Sequence, residues 1–254
     1  MKKQAWVKVL LVIIALAALA ACIYCGWYIL QYVRGGNLYD NLRGLGPGDN
    51  EIDVNRESIQ IPVDFEALQE LNPDIYAWIS VPGTPISYPV LQREGDNTYY
   101  LRRNSEGQYY SGGCIFSEDY NTKSFKDKLT VLYGHNMRNG SMFAYVNDFA
   151  DAKVFEEHRQ MIVYLPDKAL VYQIFAAEPH SSEHLLINGD INDPEVFDAF
   201  YDEVLNNASL KANVLDGVSI DKTDKVLVLS TCFRDTNTQR YLLFGKLVCE
   251  IPAA

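Results

Sequence analysis

An apolar run restricts this chain more than any other feature. Val9 to Leu30 carries no charged residue. As a helix at 1.5 Å per residue, such a run reaches about 33 Å, enough to cross a bilayer core. Lys2, Lys3 and Lys8 flank its near end, and Trp27, Tyr28 and Tyr32 mark its far end, where amphipathic rings favour the membrane interface. The positive-inside rule then keeps residues 1–8 in the cytoplasm, makes 9–30 a transmembrane anchor in contact with lipid, and exports the chain beyond Arg34. A second reading takes Leu19-Ala20-Ala21-Cys22 as a lipobox, with Cys22 as a lipidated N-terminus. The chain stays apolar from Ile23 to Leu30, which favours the uncleaved anchor. Both readings tether the same domain outside the cell.

Residues 31–61 read as a linker, with Gly35-Gly36 and Gly44-Leu45-Gly46-Pro47-Gly48 as breakers. Residues 62–254 read as one exported domain. Asp64 opens a short helix through Phe65, Leu68 and Leu71 that Pro73 ends. The texture then changes to short runs rich in Val, Ile, Tyr and Phe: Ala77–Val81, Ile86–Leu91, Gly113–Ser117, Leu129–Gly134, Met161–Leu165, Leu170–Ala177, Lys225–Cys232 and Arg240–Ile251. About eight such strands predict a closed or nearly closed β-barrel. Ser141–Asp151 and Ala152–His158 read as short helices. Asp193-Pro194-Glu195 starts another, between the sixth and seventh strands, with Val196, Phe200 and Val204 on one face. The fold class is therefore mainly β, with short peripheral helices and one membrane helix before it. The net charge of −11 repels phosphate backbones, so nucleic acid is excluded as a partner. Neither a metal-ligand spacing nor a Gly-rich phosphate loop is present, and no cofactor is expected.

Cys22 and Cys25 lie within the apolar run and read as small apolar side chains. Cys114, Cys232 and Cys249 remain outside it. Three thiols form at most one disulfide, so at least one is left over, and a leftover thiol in an exported chain is a candidate for reactivity. Val226-Leu227-Val228-Leu229-Ser230-Thr231-Cys232 is an apolar strand that ends on such a thiol. A thiol is mostly protonated at neutral pH and needs a base or a positive neighbour to act as a nucleophile. His135 follows the apolar strand Val131-Leu132-Tyr133-Gly134, whereas His158, His180 and His184 lie among polar or acidic residues and read as solvated. Arg240 opens the strand after Cys232, and a hairpin can return it to the thiol, where a permanent charge with five donors can hold a thiolate or an oxyanion. A surface arginine paired with Asp235 is the competing reading of Arg240 alone.

Together these residues resemble the sortases. Leu229-Ser230-Thr231-Cys232 matches the family's T-L-x-T-C signature from the leucine onward, with Val228 in place of the first Thr. Tyr133-Gly134-His135-Asn136 matches its histidine strand and Arg240 its arginine. Asn97-Thr98-Tyr99-Tyr100-Leu101, Gly113-Cys114-Ile115-Phe116, Asn139-Gly140-Ser141-Met142-Phe143 and the helix between strands six and seven are similar to class B. The resemblance spans about residues 62–251. It implies an eight-stranded sortase barrel and a cysteine transpeptidase without metal or cofactor. Cys232, His135 and Arg240 would be catalytic, and Ser230, Tyr133 and Asn97 would line the substrate groove. The implied reaction cleaves the C-terminal sorting motif of a secreted protein at a Thr carbonyl and passes the acyl group to a peptidoglycan-precursor amine. A cysteine peptidase that releases its product to water, and a silent anchored binding module, are the alternatives.

Overall fold

The computed structural model describes residues 2–186, 189–234 and 238–254. It contains one compact unit that ends at Asp40 and another that spans Asn41–Ala254. Helix α1, Lys2–Leu42, carries the whole apolar run. It is long and apolar enough to cross a membrane. It also runs through Gly35-Gly36, so residues 31–42 of the segment read as linker are helical. Two glycines cost a helix about 1 kcal/mol each against alanine, and cooperative propagation from a long flanking segment overcomes that cost.

In the second unit Asp64 caps α2 (Phe65–Leu71), its side chain accepting from Ala67 N at 3.0 Å. Strands β1 (Ile75–Ser80), β2 (Ser87–Leu91), β3 (Ile115–Ser117) and β4 (Leu129–Tyr133) come next. After α3 (Ala152–Glu157) come β5 (Gln160–Leu165) and β6 (Lys168–Ser181). Then come α4 (Pro194–Leu205), β7 (Asn213–Val214), β8 (Val226–Cys232) and β9 (Gln239–Pro252). The lateral order is β5-β1-β2-β3-β4-β8-β9-β6, and β6 pairs back to β5, so eight strands close a barrel. The two-residue β7 is appended to the outer edge of β6 through Ala176↔Val214.

Each strand expected from the sequence is present, with shifted ends. β6 and β9 run further than their apolar stretches because they pair with each other out to His180↔Arg240 and Ser181↔Gln239, where the residues turn polar. β3 starts only at Ile115, since Gly113 sits in a turn with φ 59°. Of the helix expected over Ser141–Asp151, the structure has a 3₁₀ segment at Ala144–Ala150. α4 keeps its cap, with Asp193 accepting from Glu195 N, and Pro194 in its first turn. Its buried stripe is Phe197, Tyr201 and Val204, while Val196 and Phe200 are only half-buried. The sheet residues under α4, including Phe175 and Phe244, set that rotation.

Two pairings are parallel, β2 with β3 and β4 with β8. A parallel pair needs a long crossover. For β4 and β8 that crossover holds β5, β6 and α4. It turns two distant segments into neighbours that end at the same rim of the barrel.

Candidate active site

The β4–β8 register pairs Tyr133 with Ser230, and Gly134 N extends the ladder by donating to Ser230 O at 3.1 Å. His135 and Cys232 each come two residues after this pair, so the parallel register alone sets them on one rim. β8 is buried along its length until Cys232, which is partly exposed. β9 runs back antiparallel and places Arg240 opposite Cys232. The Arg240 Nη1 lies 3.7 Å from the Cys232 Sγ. The competing partner, Asp235, lies outside the described residues.

His135, Cys232 and Arg240 line one cavity of about 150 Å³ with Leu101, Tyr133 and Ser230. The His135 ring donates from Nε2 to the Leu101 carbonyl at 2.8 Å, which fixes a proton on that nitrogen because a carbonyl only accepts. The His135 carbonyl accepts from Phe143 N at 3.0 Å. Gly134 is demanded by close packing, since a Cβ there would lie 2.5 Å from Ile115 Cδ1 and 2.7 Å from Phe143 Cγ. Gly134→Ala is therefore expected to displace His135. Turnover should drop about tenfold or more, with a stability loss of about 1–3 kcal/mol from overpacking. Steady-state kinetics and a thermal melt check both, and parental turnover in this variant would contradict the placement.

A second cavity of about 200 Å³ shares Leu101, Tyr133, Ser230 and Arg240 with the first and extends to Asn97, Glu118 and His184. The two make a groove past the thiol. Ser230 is buried beneath it. The Tyr133 ring stacks on Phe116, and burial, then the charge of Glu118, pushes its phenol well above the usual range. Asn97 reaches the groove, but its amide is engaged with Asp119. It donates to Asp119 Oδ1 at 2.7 Å and accepts from Asp119 N at 2.8 Å. That clasp makes it a loop tie as well as a lining residue.

The remaining histidines are not solvated as expected. His184 Nε2 sits 2.7 Å from Glu118 Oε2, inside the groove. His180 pairs with the buried Glu178 at 3.1 Å, and His158 donates to Pro82 O at 3.1 Å. Only His180 finds its partner in nearby sequence; Glu118 and Pro82 lie far along the chain from His184 and His158, and local context does not carry such pairings. Leu101 is another omission, because its contribution is a backbone carbonyl, which leaves no mark on residue type. The five cysteines form no disulfide among the described residues. Cys114 sits buried in the turn before β3, with its thiol donating to Arg103 O at 3.1 Å. Cys249, on β9, has its thiol pKa raised by burial. Among the described residues no cluster of three or more His, Cys, Asp or Glu side chains is placed to hold a metal ion.

A family model of the sortase domain matches residues 79–248. Sortase B of Listeria monocytogenes is 28% identical over 246 residues, covering 93% of this chain and 96% of the relative. Among solved structures, sortase B of Bacillus anthracis superposes with a TM-score of 0.68 at 25% identity, covering 87% of this chain and 99% of that one. A Staphylococcus aureus sortase B–substrate complex gives a TM-score of 0.63 at 28% identity, covering 72% of this chain and 84% of that one. With the barrel closed as expected and the family model spanning both β4 and β8, the chain belongs to the sortase family of cysteine transpeptidases, on its class B branch.

Proposed function

We propose that Cys232 is the nucleophile, Arg240 the oxyanion donor and His135 the general acid and base of this transpeptidase. The observation that carries the reading is the guanidinium 3.7 Å from the thiol sulfur, on a cavity that His135 also lines. The Cys232 thiolate attacks the carbonyl carbon of a sorting motif, at its Thr by resemblance to the family. The tetrahedral oxyanion forms beside Arg240, whose donors are fixed before reaction and strengthen as charge develops. The intermediate collapses, the C–N bond breaks, and imidazolium His135 gives its proton to the departing amine. A thioester on Cys232 remains. An amine from a peptidoglycan precursor then attacks it, His135 takes up the amine's proton, and the thiolate leaves.

The groove past the thiol, with Tyr133, Ser230 and Asn97 along it, is the course of the sorting peptide. The Leu101 carbonyl orients His135. Lys2, Lys3 and Lys8 before the apolar run, with Trp27, Tyr28 and Tyr32 after it, support a single-pass anchor with a cytoplasmic N-terminus and the barrel outside. That geometry puts the groove where secreted proteins and wall precursors meet. The test is product formation by the detergent-solubilised chain from a sorting peptide and an amine acceptor. Parent protein should yield a peptide–amine conjugate and Cys232→Ala none. Equal conversion by both proteins would refute the assignment.

A further inference from the structure

We infer that Asn147 is a positioning residue for the nucleophile, working with Asn136 through one backbone carbonyl; this rests on the reading of Cys232 as nucleophile. Asn147 lies in the 3₁₀ segment Ala144–Ala150 and is 5% exposed. Its Nδ2 donates to Cys232 O at 3.3 Å, and its Oδ1 accepts from Arg234 N at 2.8 Å. One side chain therefore grips the chain on both sides of Phe233. Asn136 adds a second donor to the same Cys232 carbonyl, at 3.0 Å. A carbonyl has two lone pairs, and here both are met by side-chain amides from separate segments.

The arrangement solves a problem set by the fold. β8 ends at Cys232, where the last ladder pair is with Arg240. Beyond it the strand turns; the Phe233 N–H donates to Gln239 O at 3.1 Å, and a carbonyl left without partners on the other side of the 232–233 peptide plane would let the Cα–Cβ bond of Cys232 swing the sulfur relative to the guanidinium. The two amides lock that plane. The same segment also holds Arg234, whose guanidinium meets Asp148 Oδ1 at 2.9 Å. Asn136 directly follows His135, so its amide also ties the backbone of the acid to the backbone of the nucleophile. A misplacement of order 1 Å costs about a hundredfold in rate, so a clamp on this peptide acts on turnover rather than on peptide binding.

The test compares Asn136→Ala, Asn147→Ala and the double variant in the full-length protein, measuring kcat, KM and thermal midpoint. Asn147→Ala should lower kcat about tenfold or more, with KM within about twofold of the parent. Each single variant leaves the carbonyl one donor. The double variant should therefore lose more than the product of the two single factors, the signature of groups sharing one partner. Should Asn147→Ala not fold, Asn147→Asp keeps the size and the acceptor for Arg234 N but puts a charged oxygen where the donor faced Cys232 O; its kcat should fall with KM within about twofold of the parent's, at a lower thermal midpoint. The inference is overturned by parental kcat in the folded Asn147 variants, by an effect confined to KM, or by single factors that simply multiply. Turnover by Cys232→Ala would instead sink the nucleophile assignment, whatever the asparagine variants do.

Discussion

Arg240→Ala lowers turnover by about two to three orders of magnitude, the usual effect of removing one oxyanion donor, while the barrel keeps its melting behaviour. The two halves of this expectation come from different parts of the residue. The Arg240 backbone sits between two strands, opposite Cys232 on β8 and His180 on β6, so the ladder holds with any side chain. The guanidinium reaches the thiol sulfur at 3.7 Å and lines the cavity at the barrel rim. Arg240→Lys restores the charge but not the planar fork, and is expected to recover only part of the loss. Steady-state kinetics with a thermal melt of each variant decide the matter. Parental turnover in Arg240→Ala would remove the guanidinium from the mechanism.

His135→Gln is the second large effect, a fall of about two to four orders of magnitude in kcat, the range for losing a general acid–base group. Glutamine is chosen because its amide can still donate to the Leu101 carbonyl, which His135 Nε2 meets at 2.8 Å. The local packing therefore survives and the proton does not. An amine leaves poorly without protonation, so the first acyl transfer should slow more than peptide binding weakens. Single-turnover kinetics would show this as a slower approach to the acyl-enzyme at unchanged KM. A variant that acylates at the parental rate would leave His135 as a structural residue.

The sequence carried most of the barrel because each of its strands is an apolar or alternating run bounded by turn residues. It carried less about the ends. Glu178–Ser181 looks like loop chemistry, and it is strand because β9 pairs with it. The α4 stripe was displaced because Val196 and Phe200 satisfy helical spacing as well as Phe197 and Tyr201 do, and only the sheet beneath decides between them. Cys232, Arg240 and His135 stood out as candidates because the first ends a recognisable strand, the second lies at the start of one and the third follows one. Their meeting on one rim depends on the parallel β4–β8 pair, which no local pattern announces. Asn147 lay in a stretch read only as helix, and Leu101 acts through its backbone. His184 is drawn into the groove by Glu118, a partner far away in sequence.

The most direct measurement is the intact mass of the full-length enzyme, acid-quenched during turnover of a sorting peptide. The expected result is an added mass equal to the acyl part of that peptide, mapped to Cys232, released by hydroxylamine, and discharged onto an added amine as a peptide–amine product. Cys232→Ala should show neither adduct nor product. An adduct on another residue, or a Cys232→Ala protein that turns over like its parent, would contradict the account at its centre.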